Sequence, residues 1–155
     1  MEIRVLTPED YLPFRALMEK EDVLHAEARP DWFVARTGEA CFPRDAYDSW
    51  MGNPEGLLLG AFEDGRMIGA SKAALWTESG MVSGIRWVCL DNIYVEADCR
   101  RRGVAKALYA RTEAWAKEIG ATRIELHVWD FNKSAMAAYH SWGFGPQRHV
   151  LEKKL

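Results

Sequence analysis

The chain has 155 residues, enough for one domain and too few for two sizeable cores. Its composition is 48% hydrophobic and 12% aromatic, which supports a real core and excludes a disordered chain. The net charge of −3 argues against nucleic acid as the main partner, and no apolar run approaches the roughly 20 residues of a membrane span. Residues 2–6 form a first strand candidate. Thr7-Pro8-Glu9-Asp10 then reads as a helix start, with Thr as N-cap, Pro in the first turn and acids behind it. Phe14, Leu17 and Met18 supply that helix's apolar face. Arg29-Pro30 interrupts it, and a second short helix is predicted after Pro43, with Tyr47, Trp50 and Met51 on one side and Gly52-Asn53-Pro54 closing it.

From residue 56 the period changes from helix to strand. Leu57 to Phe62 is a short apolar run, Asp64-Gly65 is a hairpin signal, and Met67 to Trp76 is the return strand. A loop around Ser79–Gly84 leads to a third strand of this group, Arg86 to Val95. Residues 102–119 have helical spacing at Val104, Leu108, Trp115 and Ile119, with Gly120 beyond the end. Arg123 to Trp129 alternates as a strand, Asn132 to Trp142 reads as a helix ending at Gly143, and the tail from Phe144 is predicted as strand. The expectation is a single α/β domain over 1–155, its later strands joined by crossover helices.

Cys41, Cys89 and Cys99 are an odd number without a C-x-x-C pair, and the four histidines lack metal-ligand spacing, so neither a disulfide framework nor a metal centre is expected. The start MEIRVLTPED has neither the basic opening nor the apolar stretch of a secretory signal, so a cytoplasmic protein is expected. Charge is unevenly spread. Residues 1–80 hold 8 basic against 15 acidic side chains, net −7, and residues 81–155 hold 12 against 8, net +4. Such a split suits one cationic and one anionic ligand, though a solvated acidic face would read the same way.

Two constellations carry chemistry. Arg100-Arg101-Arg102-Gly103-Val104-Ala105 stands between a strand and a helix. Helix N-termini are already positive, so three arginines there oppose the dipole unless an anion joins them. Free N–H groups and guanidinium groups would hold that anion, and Gly103 would let it approach the backbone. The second constellation is Asn132…Ala135…Tyr139, then Gly143-Phe144. Seven residues at 100° return Asn132 and Tyr139 to one helix face. Each has a plainer reading, an N-cap for Asn132 and an amphipathic core residue for Tyr139.

Together these residues carry a resemblance. The stretch from Val95 to Leu108 is similar to motif A of the GNAT superfamily of N-acetyltransferases, and Asn132…Ala135…Tyr139…Gly143-Phe144 to its motif B. The segment from His25 to Phe33 resembles one found in many small members. Two departures are an alanine at 97 where a proline is frequent and a cysteine at 99 where an aromatic is frequent. The resemblance implies a mixed central sheet of about six to seven strands with about four helices, and acetyl-CoA as co-substrate. Its pyrophosphate would lie on Arg100, Arg101, Arg102, Gly103, Val104 and Ala105. Pantetheine would pair with the backbone of Ile93, Tyr94 and Val95, and Asn132 would touch the cofactor from the next helix.

The implied acceptor is a small amine, such as a polyamine, an aminoglycoside-like amine or an amino acid, or else a peptide or protein amine. Glu19, Glu21, Asp22, Glu27 and Asp31 could attract it. A lysine-like amine is neutral in roughly one molecule in 2,500 at pH 7, so a base or a water relay helps. Asp91, on the central strand, stands where many relatives carry an acid, as base or as substrate anchor. Tyr139 occupies the family's general-acid position. No covalent acetyl-enzyme is required. A homodimer is compatible with the resemblance, and so is a non-catalytic CoA-binding module, which would not need Asp91 or Tyr139.

Overall fold

The computed structural model describes residues 1–78 and 84–154. Five strands form one sheet in the order of the chain: β1 (Glu2–Val5), β2 (Gly56–Glu63), β3 (Arg66–Thr77), β4 (Arg86–Val95) and β5 (Arg123–Leu126). The first three pairings are antiparallel, and β4 with β5 is parallel. That one parallel pairing needs a crossover, which α3 (Val104–Glu118) supplies. Between β1 and β2 lie α1 (Tyr11–Ala28) and α2 (Arg44–Gly52), and α4 (Lys133–Ser141) follows β5.

Strand alternation divides the core in two. Leu57, Leu59 and Ala61 of β2 face α3 with Val88, Leu90 and Leu108. Leu58 points the other way, into Phe14, Leu17 and Met18 of α1 and Tyr47 of α2. Tyr47 is fully buried, and its hydroxyl donates to the Thr7 carbonyl at 2.7 Å. The β2–β3 hairpin turns through Asp64 (φ 50°) and Gly65 (φ 77°), the two left-handed residues expected of a type I′ turn. Thr7 caps a short 3-10 turn, Pro8–Asp10, that runs into α1.

Five strands are found among the described residues where six to seven were expected. The missing one is the tail. After Gly145-Pro146 the segment carries a charged run in which Val150 and Leu151 are almost wholly exposed, so it has no buried face to hold it in a sheet. Ion pairs hold it instead, Glu152 with Arg29 and Lys154 with Asp31. β5 is also shorter than the predicted Arg123–Trp129, because Trp129 leaves the sheet for a cluster of aromatic rings. The loop predicted around Ser79–Gly84 lies, up to residue 83, outside the described residues.

Candidate active site

β4 and β5 stay paired only from Trp87↔Arg123 to Leu90↔Leu126. Beyond Leu90 the backbone groups of β4 over Asp91–Val95 have no strand partner on the β5 side among the described residues. On the other side, Ile93, Tyr94 and Val95 pair with Ser71, Ala70 and Gly69 of β3. An unpaired strand edge inside a fold is a ready partner for an extended ligand.

The register shifts at the same place. Lys72 opposes Asn92 and Ala73 opposes Leu90, which leaves Asp91 as the extra residue of a bulge. The bulge reverses the alternation. Val88 and Leu90 face α3, and so do Ile93 and Val95, whereas Tyr94 joins the α1 side. Asp91 and Asn92 therefore both reach polar partners. Asp91 Oδ2 accepts from Lys72 Nζ at 2.9 Å, and Asn92 Nδ2 donates to Glu21 Oε2 of α1 at 2.9 Å. Lys72 sits largely buried with its ammonium 4.3 Å from the Trp50 ring centre.

At the far end of β4 the chain turns into α3 through Arg100–Gly103. Arg101 (φ 61°) and Gly103 (φ 83°) are both left-handed, and such alternation turns successive N–H groups toward one concavity. The first N–H groups of α3 have no partner within their own helix. A Cβ placed on Gly103 would meet nothing within 4 Å, so the space before the turn is open. The three arginines differ in use. Arg100 Nε donates to the Val95 carbonyl at 3.0 Å, Arg102 forms a two-pronged pair with Glu63 at 2.6 and 2.9 Å, and Arg101 pairs with no carboxylate among the described residues. The turn thus offers backbone N–H groups and the Arg101 guanidinium to an anion, while Arg102 braces the turn against the hairpin. An open strand edge leading to an anion-binding turn fits a long ligand with a pyrophosphate at one end, as acetyl-CoA has.

On α4, Asn132 caps the helix by accepting from the Ala135 N–H at 3.2 Å, so its plainer reading holds and its amide N–H₂ remains a donor. Tyr139 packs edge-on against Trp142 and Phe144, and Trp142 stacks on Tyr109 of α3 at 5.0 Å. Burial, and next the charge of Glu21, pushes the Tyr139 hydroxyl up to about 12. It is a neutral O–H at any physiological pH. Tyr139 lies close enough to Glu21 of α1 to feel its charge, and Glu21 in turn bonds Asn92, next to Asp91 on β4. Lys72 bonds Asp91 itself, and His25 lies one turn beyond Glu21 on α1. Of Lys72, Asn92, Glu21 and His25, sequence reasoning gave a role only to Glu21, as one of five acids that could attract an amine, although Lys72 in the apolar run Met67–Trp76 was a visible signal.

Cys89 precedes the bulge, buried, and burial pushes its thiol up to about 12. It is not a thiolate nucleophile. Among the described residues no cluster of His, Cys, Asp or Glu has the arrangement of a metal site, and no helix is long and apolar enough to cross a membrane. A cavity of about 750 Å³ opens elsewhere, beside the β2–β3 hairpin. Its arginines already pair with acids, Arg4 with Asp10 and Arg66 with Asp98, so neither is free for an anion.

The comparisons with known proteins agree with this geometry. Residues 21–144 match the model of the acetyltransferase (GNAT) family, and the chain belongs to that family. Its co-substrate is acetyl-CoA. No curated protein sequence matches the chain. A tetramutant of the BH1408 protein from Bacillus halodurans superposes with a TM-score of 0.91 at 23% identity, covering 100% of both chains. The aminoglycoside N-acetyltransferase AAC(6′)-Iy in complex with CoA gives 0.72 at 19% identity over 99% of each chain. The aminoglycoside 6′-N-acetyltransferase AAC(6′)-IG from Acinetobacter haemolyticus gives 0.73 at 22% identity, over 100% of this chain and 99% of the other.

Proposed function

We propose that the protein transfers the acetyl group of acetyl-CoA to a primary amine of a small molecule, by direct attack within a ternary complex. The observation that carries this reading is the split between β4 and β5. Among the described residues it leaves the β5 side of β4 without a strand partner over Ile93–Val95, next to the anion-binding turn. Backbone N–H groups of Arg101–Ala105 take the pyrophosphate, the strand edge takes the pantetheine amides, and the thioester comes to lie between β4 and α4. The carbonyl carbon is then exposed to an amine arriving from the α1 side.

The amine nitrogen forms the new C–N bond, the tetrahedral adduct collapses, and the C–S bond breaks. In this reading Tyr139 meets the departing sulfur as a neutral hydroxyl. A CoA thiol resembling cysteine titrates near 8.5, below a tyrosine raised to about 12. Full proton transfer from Tyr139 is therefore uphill unless a second proton replaces it, and the proton leaving the nitrogen serves that purpose. The buried cysteines favour direct attack over an acetyl-enzyme. Asp91, read from sequence as base or anchor, already answers Lys72, which favours anchoring and electrostatics over the role of base. Of the acids expected to attract an amine, Glu19, Asp22 and Asp31 already pair with arginines, which leaves Glu21 and Glu27 without an ion pair among the described residues. An acetyl-transferring relative with CoA bound has the same fold.

The test is thiol release from acetyl-CoA against polyamines, aminoglycosides, amino acids and short peptides, beside calorimetric titration with acetyl-CoA alone. Turnover on one class of small amine is expected. Binding of acetyl-CoA without turnover on any amine would leave a CoA-binding module instead.

A further inference from the structure

Along α1, Glu21 and His25 each fall within about 20° of Phe14, since seven and eleven residues are nearly whole numbers of turns. The stripe that buries Phe14, Leu17 and Met18 in the core thus continues as a carboxylate and an imidazole. Glu21 is partly buried and takes one hydrogen bond, from the neutral Asn92 amide at 2.9 Å. Among the described residues it has no ion pair, and its Oε1 has no hydrogen-bond partner. His25 Nδ1 lies 2.8 Å from the Glu21 carbonyl. A carbonyl only accepts, so Nδ1 carries the proton. The imidazole ring is held between Phe33 and Phe131, at 5.3 and 5.7 Å. A partly buried carboxylate with a free oxygen, close enough for its charge to act on Tyr139, is a site for a cation. Asp91 is not equivalent, because an incoming ammonium there competes with Lys72.

We infer that Glu21, given the acetyl-transfer reading above, holds the acceptor ammonium and removes its first proton. Glu21 takes one proton from R–NH₃⁺, giving R–NH₂ and a neutral carboxyl. The nitrogen lone pair bonds to the thioester carbon, and the C–S bond breaks. The second proton lost by nitrogen replaces the one Tyr139 gives to sulfur, and Glu21 returns its proton to solvent. The groups that face Glu21 are Asp22 and His25 of α1, Lys72 of β3, Asn92 beside Asp91 on β4, and Tyr139 of α4. Burial is the largest influence and raises the Glu21 carboxyl, against the Asn92 bond, His25 and Lys72. It therefore becomes a working base above the ordinary carboxylate range, as a proton acceptor for neutral pH must.

The test is kcat/KM from pH 6 to 10 for wild type, Glu21→Gln, Glu21→Asp and Asp91→Asn, on the best amine of the panel, with acetyl-CoA affinity measured by calorimetry. Without its base the enzyme must wait for the rare neutral amine. Glu21→Gln is expected to lose on the order of 1,000-fold at pH 7, and to recover to within about tenfold near pH 10 as the amine deprotonates by itself. Glu21→Asp keeps the wild-type profile, and acetyl-CoA binds equally throughout. A loss equal at all pH values would make Glu21 structural. Wild-type rates in Glu21→Gln, or the pH-dependent deficit appearing in Asp91→Asn instead, would overturn the inference while leaving acetyl transfer intact. Absence of turnover in the wild type would instead overturn acetyl transfer itself, and this inference with it.

Discussion

Replacing Gly103 by alanine separates backbone strain from ligand binding. Gly103 has φ 83°, and a Cβ built there meets no atom within 4 Å. The substitution thus adds no clash. Its cost is the left-handed backbone alone, roughly 1–2 kcal/mol for an L-residue. For a chain of this size that corresponds to a fall of about 2–8 °C in Tm. Gly120, at the other end of α3, has φ 75° and equally open surroundings, so Gly120→Ala should fall by the same amount. The two variants differ in what lies before them. At position 103 the turn faces the proposed pyrophosphate, and relaxation of the strain would rotate N–H groups out of the concavity. Losing one charge-assisted hydrogen bond, about 1.5–3 kcal/mol, weakens acetyl-CoA by about 10- to 100-fold. Differential scanning calorimetry and isothermal titration on both variants check this. If Gly103→Ala and Gly120→Ala melt alike and bind acetyl-CoA alike, the donor-site reading of Arg100–Ala105 is wrong.

Two other expectations follow from side chains. Tyr139→Phe should lower kcat by 10- to 1,000-fold, and because burial raises its hydroxyl to about 12, the wild-type rate should show no tyrosine ionisation below about pH 10. A stopped assay across pH on both proteins tests this, and an unchanged kcat would remove Tyr139 from the chemistry. Asp10, buried at the head of α1, accepts from Arg4 at 2.6 and 2.9 Å and from Thr7 N–H and Oγ1 at 2.7 and 2.9 Å. The Arg4 bond first, then the Thr7 bonds against burial, hold its carboxyl below the ordinary range. A lowered carboxylate stabilises the fold above its unfolded pKa of about 3.9 and ceases to do so as pH falls through its folded value. Asp10→Asn should therefore lower Tm at pH 7 and flatten the loss of Tm below pH 4. Parallel acid melting curves for variant and wild type would contradict this.

Local chemistry was legible in the residues because its causes are local. The strand Arg86–Val95, the Asp64-Gly65 turn and the break at Arg29-Pro30 all follow from period and backbone preference. The glycine of the turn before α3 was legible too, but not its left-handed backbone, since the spacing put Gly103 inside the helix. Glu21 was visible only as one acid among several in the first half of the chain. Its place on the Phe14 stripe was available from helical arithmetic, and a charged residue on a buried stripe is the signal that could have singled it out. Lys72 was available in the same way, as a lone charge inside an apolar strand.

The residues alone thus determined the periods, turns and caps, and the motifs that point to the family. Tertiary structure decided which charges are free. The bulge at Asp91 sets the side chains that follow it on β4 and cannot be read from alternation, because it exists only in the register with β3. Whether Arg102 meets an anion or Glu63, and whether Asp91 meets a substrate or Lys72, depends on residues 39 and 19 positions away. The tail lost its expected strand for the same reason. Alternation proposes a strand, but only a face to bury against and a neighbouring edge to pair with make one.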